Sequence, residues 1–358
     1  MRNVLFLILA GLVLVCGDPS CCAQTAVLRP APKIKFPAHV DCNSPCHWDG
    51  GKLYLFNSAS HPSITTGADL FSLSPAVRVE FDNTVNGGRW MEATWKDDNG
   101  TIYGWYHIEP AGLCPGTNLT APKMGAARST DNGAHWTDLG IILEARPNTF
   151  NCKTRNEAFI GGNGDGCVML DRKKKYLYVF FGSYAGDVTE QGICVARMAW
   201  KDRDKPAGKV WKYHKGTWDE PGLGGWVTPF FPATTDIKRV SGELFWGPAV
   251  HWNTHLRQYV MMLNRLSHSP GWGQEGIYIA YCKDISDPLN WKQPVRLLKG
   301  TTLYPEVIGI DKEAGETDKL CGRQGRFYIL GTSVNEIIFF RDGEDTSKLP
   351  PIYTPAGS

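Results

Sequence analysis

The sequence has almost no net charge, with 38 Lys and Arg against 36 Asp and Glu in 358 residues. So even a balance leaves no electrostatic footprint for nucleic acid or an anionic membrane surface. Long apolar runs are also scarce. Val4 to Val15 is the one sustained run, and nothing later approaches the roughly 18 residues needed to cross a bilayer, so no membrane span is expected. No stretch keeps a helical period, which points to an all-β chain. Zinc-type spacing is missing: Cys42 and Cys46 enclose Pro45 and have no second Cys or His pair to work with, so bridging or plain burial is favoured over zinc.

The first residues read as an export signal. Met1-Arg2-Asn3 is a short basic start, Val4 to Val15 is the apolar segment, and Cys21-Cys22-Ala23 before Gln24 is a small-residue cleavage site, which assigns 1–23 to a signal peptide and places the protein outside the cytoplasm, secreted or periplasmic. A lipoprotein with Cys16 acylated is disfavoured by Val15, a poor residue for that site. The mature chain keeps Cys42, Cys46, Cys114, Cys152, Cys167, Cys194, Cys282 and Cys321. An even number of thiols in an exported chain is compatible with disulfides that tie loops to sheets, with no connectivity to be read.

What is present is a repeat. Five stretches share a turn with a carboxylate or small polar residue, an apolar strand, a hydrophilic turn, and a second strand rich in Tyr and Phe. They begin at Asp41, Trp90, Asn163, Phe245 and Leu303, the last continuing from Arg326. Their uneven spacing rules out a solenoid but suits blades with variable loops, and the reading is a single five-bladed β-propeller over 24–358. Second strands are expected at 53–56, 102–106, 177–181, 259–263 and 327–330, and third strands at 192–197 and 276–281. The polar insertion 201–227 is expected to form a rim over the channel.

One local motif is more specific. Ser129-Thr-Asp131-Asn-Gly133-Ala-His-Trp136 matches the S-x-D-x-G-x-x-W pattern of an Asp-box, a hairpin turn in which Asp binds turn backbone and Trp packs beneath; Asp131 is read as structural. A degenerate relative runs from Cys282 to Trp291.

A propeller aims the inner strand of every blade at one channel, so Asp41, Glu92, Asp165 and Glu306 should converge there. Cleavage of a glycosidic bond needs one carboxyl kept protonated and one kept ionised, and a crowded channel separates their pKa values by burial and neighbouring charge. Asp41 precedes Asn43, Ser44 and His47, with an Asx-turn as its plain alternative. Glu92 lies between apolar residues, where an unpaired charge is costly; it faces the channel or pairs with Arg89 or Lys96, and His107 and Glu109 on the returning strand are candidate partners. Asp165, within Gly-Asn-Gly-Asp-Gly, would also suit a tight turn or a structural Ca²⁺, although EF-hand spacing is absent. Glu306 occupies the relative place of Glu92. In the fourth repeat that place holds Trp246-Gly247-Pro248, with Glu243 just ahead. Asn43, His107 and His251 are candidate sugar-binding polar groups, and Trp246, Trp272 and Tyr304 candidate stacking surfaces. No metal ligand set and no other cofactor is expected.

The five-repeat layout, the inner-strand acids and the segment G-I-Y-I-A-Y-C-K-D-x-x-x-P-L-N-W resemble the five-bladed propeller glycoside hydrolases of families 43, 32, 68, 117 and 130. The resemblance implies a glycosidase acting on a poly- or oligosaccharide, with Asp41 matched to the base of family 43 and Asp165 to its tuning residue. The family 43 acid often stands in a Glu-Ala-Pro run on the fourth blade. Here that blade reads Trp-Gly-Pro and the Glu-Ala pair is Glu92-Ala93 on the second, which leaves Glu243, Glu92 or Glu306 for the role. Two alternatives stay open. One is a non-catalytic carbohydrate-binding propeller stacking sugars on Trp246, Trp252, Trp272 and Tyr304. The other is a sialidase-like enzyme, which would need three Arg residues and a Tyr nucleophile from among Arg89, Arg128, Arg155, Arg239 and Arg265.

Overall fold

The computed structural model describes residues 25–85, 87–268, 271–300 and 303–353; the segment 1–23, expected to be a signal peptide, lies outside them. Five sheets, antiparallel but for short parallel pairings of Glu80–Phe81 with His135–Leu143 and of Leu320–Cys321 with Leu244–Asn253, form a five-bladed propeller. The inner strands are Cys46–Asp49, Trp90–Lys96, Asn163–Leu170, Leu244–Asn253 and Pro305–Gly309, on blades 1 to 5 in chain order. Each is followed outward by a second strand, at Lys52–Asn57, Ile102–Ile108, Tyr176–Ser183, Gln258–His268 and Gln324–Ile329. The third strands include Gly192–Ala199 and Gly273–Cys282. Gly192 has φ +123°, and a Cβ there would meet the Phe231 carbonyl at 2.1 Å, so only glycine lets the chain turn into this strand.

Strand alternation explains how the blades hold together. The inner strand of blade 3 is buried along its whole length. Val168 and Leu170 pack toward blade 2 with Trp105 and Leu143, while Cys167 and Met169 pack toward blade 4 with Val250 and Met261. Period-2 geometry sends successive side chains to opposite faces, so one strand feeds two interfaces. The same holds around the ring, with a separate apolar cluster between blades 4 and 5, 5 and 1, and 1 and 2.

Closure comes from a strand the repeat pattern does not reveal. Thr25–Lys35 pairs antiparallel with Thr332–Phe340, from Thr25 opposite Phe340 to Lys35 opposite Thr332, as the outermost strand of blade 5. Pro30 and Pro32 hide its strand character, and the register shifts between Pro30 and Ile34; an edge position tolerates prolines that a central strand would not. Arg29 reaches Glu336 at 2.5 Å across this seam.

One expectation needs correction. Residues 201–227 do not rim the channel: they supply Val210–His214 and Thr217–Pro221, the fourth and fifth strands at the periphery of blade 3. The expected bridging of a loop is met by Cys114 and Cys152, while Cys42, Cys46, Cys167, Cys194, Cys282 and Cys321 are free and buried, filling space as small apolar groups. In the Ser129–Trp136 hairpin, Asp131 Oδ1 accepts from the His135 amide at 3.0 Å and from Ser129 Oγ at 2.8 Å, while the Trp136 indole donates to the Gly133 carbonyl at 2.9 Å. Trp136 is buried against Phe56 of blade 1.

Candidate active site at the channel mouth

Three inner strands carry a register shift near their first residues, between Met91 and Ala93, Gly164 and Cys167, and Trp246 and Ala249. The residues passed over are Glu92, Asp165-Gly166 and Gly247-Pro248. A bulge breaks the alternation and re-aims a side chain, which is how Glu92 and Asp165 leave the inter-blade faces for the channel. Asp165 stands at φ +48°, a left-handed conformation that Asp tolerates better than most residues.

Glu92 is almost fully buried and fully engaged. Its Oε1 meets His107 Nδ1 at 2.7 Å, and its Oε2 accepts the Gly166 amide of blade 3 at 2.6 Å. Neither Arg89 nor Lys96 is its partner: Arg89 binds loop carbonyls such as that of Val85, and Lys96 binds Asp49. His107 lies directly opposite Trp90 in the register, and their rings stack at 4.9 Å. Burial works to lower the His107 pKa, but the Glu92 charge, hydrogen bonds to Glu109 and Glu92 and the Asp165 charge outweigh it and hold the imidazole well above its usual value. The surroundings therefore favour the protonated imidazole, flanked by Glu92 and, at 3.6 Å, Glu109.

Asp165 accepts from Tyr184 Oη at 2.5 Å and from Tyr304 Oη at 3.0 Å. Burial pushes its carboxyl up, the His107 charge opposes this and the Glu92 charge adds to it, with a net value of about 6. Asp41 is half-buried beside this group and accepts the Trp90 indole at 3.4 Å. Asp41, Glu92 and Asp165 all act on the buried Cys42 thiol, and both Asp41 and Asp165 on Tyr304, which places the three acids around one space.

Glu306 belongs elsewhere. Asn43 spans the channel, donating to the Gly166 and Pro248 carbonyls at 3.1 and 3.0 Å. On its far side Glu306 accepts the Ser44 amide at 2.8 Å, alongside Asp318 and Lys319, which pair at 2.9 Å. Burial pushes Glu306 up to about 8. His251 shares this chamber, driven down to about 3 by burial and by the Lys319 charge. Asn43, His251 and Glu306 line a void of about 10 Å³, far too small for a sugar ring.

Blade 4 contributes no acid. Trp246 is buried, donates to Gln274 Oε1 at 3.0 Å, and packs edge-on against Trp272 and Tyr304, each at 5.3 Å. Glu243, partly exposed, pairs with Arg265 at 3.6 Å. Arg265 also binds Glu275, and Arg128 pairs with Asp204, so neither takes part in an arginine triad. Trp272 and Tyr304 remain partly exposed, and with Trp90 they are the rings available at the mouth. A cleft of about 340 Å³ lined by Ser60, His61, Arg78, Thr84 and Arg89 opens between blades 1 and 2.

Glu92, His107 and Asp165 offer ligand atoms within 4.8 Å of one another. Ca²⁺ takes about six to eight oxygen ligands, whereas this trio sets one imidazole nitrogen beside two carboxylates, a poor match for that ion.

Sequence reasoning passed over three residues here. Trp90 stands two positions before Glu92. Tyr184 ends the second strand of blade 3 much as Glu109 ends that of blade 2, a positional echo that would have flagged it. Asn264 lies opposite Trp246 in the register, fully buried, with neither amide atom partnered. Nothing in the sequence marks it.

No protein-family model matches the sequence, and no curated protein is significantly similar to it. Among solved structures the chain resembles a thermostable family-43 glycoside hydrolase, with a TM-score of 0.51 at 12% identity over 90% of this chain and 100% of that one. Also similar are a family-43 β-1,3-galactosidase with galactodeoxynojirimycin, at TM-score 0.49 and 13% identity over 88% and 93% of the two chains, and an exo-β-1,3-galactanase from Phanerochaete chrysosporium, at 0.48 and 12% over 86% and 64%. The chain thus spans 64% of that galactanase's length. At these identities the likeness establishes the fold, a five-bladed propeller of the kind found in family-43 glycoside hydrolases.

Proposed function

We propose that the protein is an exported glycoside hydrolase that cleaves O-glycosidic bonds of a poly- or oligosaccharide at the channel mouth. The observation that carries this reading is the contrast between two neighbouring carboxyls. Asp165 is buried with its pKa pushed up to about 6, while Asp41, whose charge acts with that of Asp165 on Tyr304, is half-exposed. Unequal environments of this kind divide acid and base roles between two carboxyls.

In this mechanism Asp165 protonates the leaving glycosidic oxygen, and Asp41 activates water or attacks the anomeric carbon. Of the donors considered from sequence, Glu306 lies beyond Asn43 and Glu92 is paired with His107, whereas Asp165 is held by two hydroxyls, one of them on the partly exposed Tyr304. Glu92 and His107 instead tune Asp165: the two charges act on it in opposite senses, so a change in either moves its pKa. Trp272, Tyr304 and Trp90 offer faces for sugar rings.

Reducing-sugar release from arabinans, xylans, fructans, galactans and mannans tests the reading, comparing wild type with Asp41→Asn and Asp165→Asn. Release lost in both folded variants supports it. Binding without release, equal in all three proteins, would replace the enzyme by a carbohydrate-binding propeller.

A further inference from the structure

A second recess lies at the opposite face of the ring. A cavity of about 640 Å³ opens between blades 1 and 5, formed where the inner strands Cys46–Asp49 and Pro305–Gly309 end. Asp41, Glu92 and Asp165 stand at or before the beginnings of inner strands, so this cavity is separated from them by the depth of the propeller.

Its walls carry three partly exposed rings, Trp48, Phe71 and Tyr353. The Trp48 indole is held by a 2.7 Å bond from Nε1 to the Glu316 carbonyl, and Phe71 and Tyr353 stack at 5.9 Å with 29° between their planes. The large rings that fill blade interfaces, Trp105 and Trp136, are by contrast buried. Leu53, Leu70, Ile308 and Ile310 form an apolar floor, while Asp69, Asp311, Glu313 and Glu316 share the lining with Lys312 and Arg323, so charges of both signs are present with the acids in excess.

These features select a ligand. Mixed charge disfavours a strongly anionic or cationic molecule. An apolar floor disfavours a fully hydrated one, and rings beside hydrogen-bonding groups suit a molecule with flat C–H faces and many hydroxyls. A volume in the range of small-molecule sites admits a few sugar rings. We propose that this seam cavity is a second carbohydrate site, which binds a neutral oligosaccharide segment and tethers a polymer to the enzyme. Sugar binding here stands on the cavity; the tethering of a substrate rests on the glycosidase reading above.

Affinity electrophoresis of the full chain in gels containing soluble arabinan, β-1,3-galactan, xylan or mannan provides the test. Wild type and Asp165→Asn should be retarded equally in at least one polymer. Tyr353→Ala should weaken that retardation about tenfold, on the scale of one aromatic contact, and Phe71→Leu, which keeps the floor filled, should do so if the alanine variant is unstable. Retardation unchanged in both ring variants, or absent in all four polymers, overturns the proposal. Retardation without sugar release by wild type leaves this site standing and overturns the glycosidase reading alone.

Discussion

His107 Nδ1 and Glu92 Oε1 meet at 2.7 Å inside the channel, where both side chains are almost fully buried. A buried ion pair of this kind is costly to assemble and more costly to break, because either partner alone is an uncompensated charge. Its presence beside Asp165 indicates that the electrostatics of the site depend on two charges that cancel in part. Trp90 stacked on the imidazolium adds a favourable ring contact.

Glu92→Gln removes the main upward influence on His107. The imidazole should become neutral at pH 7, visible by NMR titration, and unfolding should show a loss of about 3 kcal/mol or more. In wild type the raised His107 contributes stability that is present below pH 6.5 and declines as pH rises through its higher folded value; in the variant that decline should disappear. An unchanged His107 titration would show that the pair is not formed.

Asp165→Asn should cut sugar release by about 10²- to 10⁴-fold, the usual worth of a positioned acid. With Asp165 as donor, wild-type activity should fall as pH rises through about 6. The Tyr184 hydroxyl stabilises the carboxylate form, so Tyr184→Phe should move this alkaline limb to higher pH. A limb that stays in place in Tyr184→Phe would assign it to another group.

Glu306 is pushed up to about 8 by burial, so the folded state holds its proton where the unfolded chain has released it. Stability should therefore fall between about pH 4.5 and 8. Glu306→Gln keeps an acceptor for the Ser44 amide and should melt about 2 °C or more above wild type at pH 8, with little difference at pH 4. Its sugar release should match wild type, since Glu306 lies beyond Asn43.

Asn264 carries an unpartnered amide in a fully buried position, and such a group costs about 1–3 kcal/mol. Gly247, at φ +60°, leaves the notch beside it open: a Cβ there would lie 2.8 Å from Asn264 Nδ2. Asn264→Leu should raise the melting temperature and raise KM more than it lowers kcat. A lower melting temperature would show that the amide is satisfied in the folded protein.

Much of the architecture was legible beforehand. All five inner strands and their partners fall where the repeats of Val, Ile, Tyr and Phe place them, because each blade buries a strand pair whose pattern is local. The closing strand Thr25–Lys35 escaped, since its prolines mask it and its partner is some 300 residues away. The rim expected of 201–227 failed for a related reason: polar outer strands and polar loops have the same composition. Asp41, Glu92, Asp165, His107 and Tyr304 were all named from sequence and do gather at one opening, whereas Glu306, Asn43 and His251 enclose a chamber beneath it.

The sequence by itself determined a single all-β ring and the set of carboxylates that could face its channel, because strand period and turn chemistry act over a few residues. Only the tertiary structure decided which of those carboxylates share a space and which are pushed toward the protonated form. Bulges in separate blades re-aim the side chains, and each pKa is set by burial and by charges delivered from other strands and other blades of the ring.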